Sequence, residues 1–346
     1  MILSIETSCD DSSVAVLDSQ TLQLKFHKKI SQELDHSVFG GVVPELAARL
    51  HTQALPDIIH SAREFFPHLK AIAVTNAPGL SVSLLIGVSA AKALSLAIGV
   101  PLISVNHLIG HIFSLFLQSE ARLPLGVLLV SGGHTLVLDI NEKGSVQVLA
   151  ATGDDSFGES FDKVAKMLGL GYPGGAVVER LSNAWSEKSG SSNSVLTNPK
   201  TPRLKFTIPL LHDERMEFSF SGLKNQTRLA IGSGEFEKEE ICHAFQTAAV
   251  SHICDKLGKL FAQKRWQNFG VVGGASANGV LRGALGAMCE AYGAGLLFAP
   301  LEFCSDNAAM IARAGREKLL RGRFCALNEL QIAPKTSLNG VNLFEF

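Results

Sequence analysis

The sequence carries almost no net charge, few aromatic residues and no regular pattern of cysteines. Its formal net charge of −1 at pH 7 is unlike that of a strongly basic nucleic-acid binder, so any nucleic-acid contact must come from a local basic surface or from a partner. The six cysteines form no C-x-x-C pair, which indicates reduced thiols in a cytoplasmic protein. A hydrophobic fraction of 46% with 7% aromatics is typical of a soluble α/β protein.

The sequence also lacks an unbroken hydrophobic run of membrane-spanning length. The longest uncharged stretch, residues 71–91, is divided by Asn76–Gly79 into a predicted strand and a predicted helix start. Glu6, Asp10 and Asp11 interrupt the first residues before a long apolar region develops. We therefore expect neither a signal peptide nor a transmembrane segment.

Strands that alternate with helices predict an α/β fold. Apolar runs at 71–75 and 101–105 are expected to be strands, and the Ala- and Leu-rich stretch from Ser81 to about Ile98 is expected to be a helix. A further helix is predicted over 46–60. With 346 residues, the chain is long enough for two domains or two lobes.

Two segments share one plan of apolar strand, small polar turn and apolar strand. The first runs from Met1 to Leu17, and the second places Ser131–Thr135 between two runs of aliphatic residues. Glycine in such a turn lets backbone N–H groups approach a phosphate closely. This echo predicts two similar lobes, each with one hairpin that faces phosphate. Asp10 and Asp11, in the first turn, either hold a metal or a water or are solvated turn residues.

His107 and His111 form the strongest candidate metal site. Asn106 can cap a helix that starts at His107, and residues four apart then lie on one face of it. Two imidazoles at this spacing can share one cation, although without a third ligand they can equally be ordinary helix histidines. Asp306, just before an apolar helix, is either that helix's N-cap or the missing third ligand.

Three more segments lead to expectations about particular residues. The strand, two glycines and helix start around Gly270–Arg282 form a pattern that suits a nucleotide. A helix is expected over 164–168, after a polar segment that contains Asp162. The serine-rich stretch 186–202 is expected to be an exposed loop, with a candidate basic patch at its exit. That patch consists of Lys200, Arg203 and Lys205.

Taken together, these motifs resemble the family of universal tRNA threonylcarbamoyladenosine transferases, once described as glycoproteases. The resemblance runs from Ile2 to about Leu338, and its weight lies in the joint order of the motifs. The matching segments are Ile5–Asp10, Gly40–Glu45, Ala77–Leu80, His107 with His111, Leu129–Thr135, Phe161–Lys163, Tyr172–Gly175, Phe220–Lys224, Gly273–Asn278 and Cys304–Asn307.

The resemblance implies the two-lobed fold of the actin, Hsp70 and sugar-kinase superfamily, in which each lobe is a mixed β-sheet with helices. Residues 1–106 with 306–346 would form the first lobe and 107–305 the second. His107, His111 and Asp306 would bind one divalent metal, iron or alternatively zinc. Asp10 would lie beside the reaction centre. The residues implied to hold the adenylate are Leu129, Val130, Ser131, Gly132, Gly133, Asp162, Gly175 and Asn278.

The implied activity is transfer of threonylcarbamoyl from threonylcarbamoyl-AMP to the adenosine 3′ of the anticodon in tRNA. The implied partners are a degenerate paralogue of the same fold, a small ATPase and a separate synthase that makes the adenylate. Two positions depart from the family pattern. Ile109 stands where relatives usually carry Glu, which puts a contact to the metal ligands in doubt, and Ala275 replaces a common Val.

Three other classes of protein compete with this interpretation. A kinase or ATPase of the same superfamily would use similar hairpins, but a histidine pair is unlike the carboxylate-and-water magnesium sites expected there. A zinc protease is suggested only by the His-x-x-x-His spacing, and Leu108 stands where that motif needs a Glu. A non-catalytic scaffold is the third, and the complete set of metal ligands argues against it.

Overall fold

Two mixed β-sheets form the framework of the protein in a computed structural model, which describes residues 1–190, 203–211 and 213–345. The first sheet has the strand order β3-β2-β1-β4-β5, and the second has the order β11-β10-β6-β7-β8-β9. The strands of the first sheet are β1 (Ile2–Glu6), β2 (Asp11–Leu17), β3 (Leu24–Ser31), β4 (Ala71–Ala77) and β5 (Leu102–Asn106). Those of the second are β6 (Leu125–Val130), β7 (Thr135–Ile140), β8 (Val146–Thr152), β9 (Glu217–Phe218), β10 (Asn268–Val272) and β11 (Gly295–Phe298).

Ten α-helices connect and cover these strands in the described part of the chain. They are α1 (Glu33–Ser37), α2 (Pro44–Ser61), α3 (Ser81–Ile98), α4 (His107–Phe113), α5 (Phe157–Met167), α6 (Gly175–Gly190), α7 (Ser221–Ser233), α8 (Lys238–Lys264), α9 (Gly279–Tyr292) and α10 (Ala308–Leu320). Short 3₁₀ helices lie at Arg63–His68, Ser114–Phe116, Gly274–Ala277 and Leu301–Phe303.

The two sheets repeat one topology, which confirms the echo expected from the sequence. In the first sheet β1 pairs antiparallel with β2, β2 pairs antiparallel with β3, and β4 and β5 continue parallel on the other side of β1. In the second, β6, β7 and β8 form the antiparallel part and β10 and β11 the parallel part, with the short β9 added at the edge. Each hairpin turn therefore lies beside the central strand of its sheet.

The hydrophobic core lies in three layers. One covers the outer face of the first sheet under α2 and α3, one lies between the sheets around α4 and α10, and one covers the second sheet under α5–α9. Gly110 of α4 lets α10 approach closely, since a Cβ there would lie 2.7 Å from Cδ1 of Ile311. The helix that carries both histidines is thus packed directly against the helix that follows Asp306.

The C-terminal residues run back from the first sheet to the second. The N–H of Val146 donates to the carbonyl of Val341, and the N–H of Leu343 donates to that of Gly144. The predicted lobe boundaries, 1–106 with 306–346 against 107–305, stay a prediction. The predicted first-sheet strands and the helix from Ser81 to Ile98 are confirmed.

Two predicted elements need correction. The helix expected over 164–168 begins at Phe157, because Ser156 caps it by accepting from the N–H of Glu159. Residues 186–190 belong to α6 and not to a loop, and the rest of the predicted loop lies outside the described residues. Lys200 of the predicted basic patch lies there too.

One helix in the described part of the chain, α3, is long and apolar enough to cross a membrane by length and composition alone. Its residues Val88 and Ala91 are buried in the core layer over the first sheet. All six cysteines are free thiols.

Candidate active site

Helix α4 presents the two histidines one turn apart. The side chain of Asn106 accepts hydrogen bonds from the N–H groups of Leu108 (2.9 Å) and Ile109 (3.2 Å), which confirms it as the N-cap. His107 and His111 are both buried, and their ring centroids lie 4.6 Å apart. The cap and the helical spacing together direct both rings toward one point.

Asp306 offers a third potential metal ligand at that point. Its Oδ1 lies 3.3 Å from Nε2 of His107 and 3.2 Å from Nε2 of His111. The alternative role of Asp306 as the N-cap of α10 is wrong. Asn307 performs it instead, by accepting from the N–H of Met310 at 3.0 Å.

This trio fits a single divalent cation. One ligand atom from each residue lies within 4.8 Å of the others. His111 is fully buried: its Nδ1 forms no hydrogen bond with any described residue, and its Nε2 faces only the carboxylate of Asp306, at 3.2 Å. Buried polar atoms normally have partners, so this ring is arranged for a ligand that is not a protein atom. Two imidazoles and a carboxylate suit iron or zinc.

A second layer of polar groups orients His107. Its Nδ1 lies 3.2 Å from Oε2 of Glu6 and 3.1 Å from Oγ of Ser8. Glu6 is fully buried and also accepts from the N–H of Ser8 and the hydroxyl of Thr75. The sequence-based site omitted Glu6, although a carboxylate at the end of a buried apolar strand was the available signal. Ile109, which stands where relatives usually carry Glu, is buried in the apolar core. The carboxylate beside His107 is instead that of Glu6, at the end of β1.

The site is electrostatically polarised. Burial would raise the pKa of Asp306, but His107 and His111 outweigh burial and hold it well below its usual range. Burial would lower the pKa of His107, but Asp306 and Glu6 raise it well above the usual histidine value. Burial lowers the pKa of His111. A cation bound here would take the place of the proton on His107.

The cluster opens into a cavity of about 500 Å³ between the two hairpin turns. Ser8 and Asp10 line it from the first turn, and Ser131, Gly132 and Gly133 line it from the second. Both glycines are exposed, and a Cβ at either would meet no atom within 4 Å. The structure therefore brings the predicted acid, two of the three predicted metal ligands and the glycine turn to one cavity.

The walls of this cavity also contain residues that were not predicted to form the site. His134 and Tyr172 line it, and burial lowers the pKa of His134 to about 4. Asp11 lies 2.9 Å from the ammonium of Lys29, which also donates to Ser305 at 3.0 Å. Burial nevertheless raises the pKa of Asp11 to about 6. This bridge joins the first hairpin to the segment before α10.

The other residues predicted to hold the adenylate lie outside the lining of this cavity. The side chains of Leu129 and Val130 are fully buried in two different core layers. Asp162 accepts from the N–H of Gly174 at 2.7 Å, and Gly175 begins α6. Asn278 caps α9 and donates to Gln246 at 3.0 Å. Contact between these residues and an adenylate stays a prediction.

The two repeated sheets and the cavity between their hairpins define the two-lobed fold of the actin, Hsp70 and sugar-kinase superfamily. Component A of (R)-2-hydroxyglutaryl-CoA dehydratase from Acidaminococcus fermentans is similar with a TM-score of 0.52 and 14% identity, over 91% of this chain and 95% of that chain. Full-length HypF is similar with a TM-score of 0.53 and 14% identity, over 94% of this chain and 56% of that chain. At this identity the likeness shows the fold alone.

Within that class, the chain belongs to the family of tRNA N6-adenosine threonylcarbamoyltransferases. The family model matches residues 23–313. The chain is 58% identical to the enzyme of that name from Campylobacter fetus, over 99% of this chain and all of the relative. It is 60% identical to the one from Campylobacter curvus, over 97% of this chain and 99% of the relative. The protein is therefore a transferase that acts in tRNA modification.

Proposed function

We propose that the protein transfers threonylcarbamoyl from threonylcarbamoyl-AMP to N6 of the adenosine 3′ of the anticodon, in tRNAs that read ANN codons. The observation that carries this proposal is the cluster of His107, His111 and Asp306, of which His107 and Asp306 line the same cavity as both hairpin turns. The cavity volume of about 500 Å³ is in the range of small-molecule sites.

His107, His111 and Asp306 would hold one divalent metal, iron or alternatively zinc. When bound, this cation would supply Lewis-acid stabilisation of developing negative charge, worth several kcal/mol. Glu6 and Ser8 keep Nδ1 of His107 occupied, so that Nε2 stays available on the side of Asp306.

The transfer itself is an acyl substitution. The N6 amine forms a bond to the carbamoyl carbon, the bond from that carbon to the phosphate oxygen breaks, and AMP leaves with the electron pair. Asp10, which lines the cavity, would accept the proton that the amine loses. Because AMP is a good leaving group, positioning and exclusion of water make up most of the task.

The turn at Ser131–Gly133 would bind the phosphate of the adenylate. The hydroxyl oxygen of Ser131 accepts from the N–H groups of Gly133 (3.3 Å) and His134 (3.1 Å), which holds the turn in shape. Asp162, Gly175 and Asn278, with the backbone of Leu129 and Val130, would contact the rest of the nucleotide.

A near-neutral chain needs help to bind tRNA. A degenerate paralogue of the same fold and a small ATPase would assist it, and a separate synthase would supply the adenylate. The free cysteines are consistent with a cytoplasmic location.

The test is mass spectrometry of nucleosides from bulk tRNA in cells depleted of this protein. Rescue with wild type should restore threonylcarbamoyladenosine, and rescue with His111→Ala should not, because the cation loses a buried ligand. His60→Ala is the matched control, since His60 is exposed at the end of α2. Metal content of each purified protein, measured in parallel, links the loss to the site. Unchanged nucleoside after thorough depletion would remove the transferase proposal.

A further inference from the structure

The C-terminal segment reaches the cavity through residues that are held in place on both sides. Pro334, Lys335 and Thr336 line the cavity. The carbonyl of Pro334 accepts from the N–H of Gly79 at 3.2 Å, and Leu338 is buried in the core between the sheets. Lys335 is therefore held at the cavity by the backbone hydrogen bond of the preceding residue, Pro334, and by the packing of Leu338 a few residues later.

The charges that line the cavity are mostly negative. Four carboxylates face it, and Lys335 is the only lysine or arginine that lines it within the described chain. The carboxylates are Asp10, Asp11, Glu33 and Asp306. Lys29, the nearest cation bonded to a lining residue, is already engaged by Asp11 and Ser305. Lys335 is exposed and forms no hydrogen bond or ion pair with a described residue.

An acyl adenylate that carries an amino-acid carboxylate is doubly anionic at neutral pH. The four carboxylates would repel such a ligand, and the divalent cation proposed at His107, His111 and Asp306 would offset only part of their negative charge. A lysine ammonium is a flexible point charge that can reach a phosphate or a carboxylate oxygen.

We propose that Lys335 is a substrate-binding residue whose ammonium contacts an anionic group of the acyl adenylate, either its phosphate or its carboxylate. This assignment rests on the proposed function. It also gives the C-terminal segment a part in the site that does not depend on the metal ligands.

The experiment is equilibrium binding of two probes to the full-length chain. AMP presents the phosphate alone, and a hydrolytically stable analogue of the acyl adenylate presents both anions. Lys335→Ala should weaken binding of the analogue by about 5- to 30-fold, as expected for loss of one partly exposed charged hydrogen bond. Lys335→Arg should retain most of the affinity. Lys25→Ala is the matched control, because Lys25 is exposed on β3 and bonded only to Gln23 among the described residues.

The two probes separate the two anions. Weaker binding of both AMP and the analogue assigns Lys335 to the phosphate, and weaker binding of the analogue alone assigns it to the carboxylate. Unchanged affinity of Lys335→Ala for both probes would overturn the assignment while leaving the proposed function intact. If the wild-type protein bound neither probe, both the proposed adenylate substrate and the role assigned to Lys335 would be wrong.

Discussion

Glu6 determines which nitrogen of His107 faces the candidate metal site. Oε2 of this carboxylate lies 3.2 Å from Nδ1 of His107, so Nε2 is left on the side of Asp306. Glu6 itself is held by the N–H of Ser8 and the hydroxyl of Thr75. A carboxylate in this position fixes the ring and raises its basicity as a ligand.

We expect Glu6→Gln to lower metal affinity by about 10- to 100-fold, since an amide orients the ring but carries no charge. Competition with a chromophoric chelator measures this directly. Glu45→Gln is the control, because Glu45 is exposed in the first turn of α2 and far from His107 in sequence. Equal metal affinity of the two variants would show that Glu6 does not act on the ligand.

At the scale of elements, the start of α5 shapes the glycine turn. Ser156 caps α5 and also donates to the carbonyl of Gly132 at 2.6 Å. The N–H of Phe157 donates to Oγ1 of Thr135 at 2.8 Å. Gly158 permits this contact, because a Cβ there would lie 2.6 Å from the carbonyl oxygen of Ser131. Helix and turn are thus one unit.

Gly158→Ala should displace that turn. We expect a loss of about 1–3 kcal/mol in the free energy of unfolding from overpacking, together with weaker AMP binding. Urea denaturation and AMP titration measure the two effects. Gly283→Ala in α9 is the matched control, since a Cβ there meets nothing within 4 Å and alanine should add up to about 1 kcal/mol. A stabilised Gly158→Ala protein with normal AMP binding would contradict the role of this contact.

At the scale of the whole molecule, Arg313 ties α10 to the segment after α4. It is fully buried and donates to the carbonyls of Phe116 (2.8 Å) and Ser119 (3.1 Å) and to Glu317 (2.6 Å). Its guanidinium also lies 5.0 Å from the ring centroid of Phe113. These contacts hold together the two helices that bring Asp306 to the histidines.

Arg313→Ala should lower the free energy of unfolding by about 3–5 kcal/mol, because it leaves buried carbonyls without their partner and breaks a buried ion pair. Arg323→Ala, at an exposed position after α10, should stay within about 0.5 kcal/mol of wild type. Urea unfolding curves compare the two. If both variants unfolded at the wild-type urea midpoint, the network would not contribute to stability.

Local sequence patterns determined the regular elements well where the signal lies within neighbouring residues. The helix predicted from Ser81 to about Ile98 has these bounds in the structure, where Gly99 adopts the left-handed conformation that ends it. The β6–β7 hairpin and the Asn106 cap follow equally local rules. The strand β3, which contains three lysines and no buried residue, and the start of α5 behind a serine cap were missed because these patterns resemble polar loops.

The candidate site depended on contacts between distant parts of the chain. The sequence left Asp306 open between a helix cap and a metal ligand, and only the resemblance to a known family favoured the ligand. The packing of α10 against α4 brings Asp306 to His107, and the closing of the first sheet brings Glu6 there. The C-terminal segment brings Lys335 to the same cavity. Periodicity and capping are encoded in adjacent residues, whereas the meeting of these side chains is decided only when two sheets pack around a shared core.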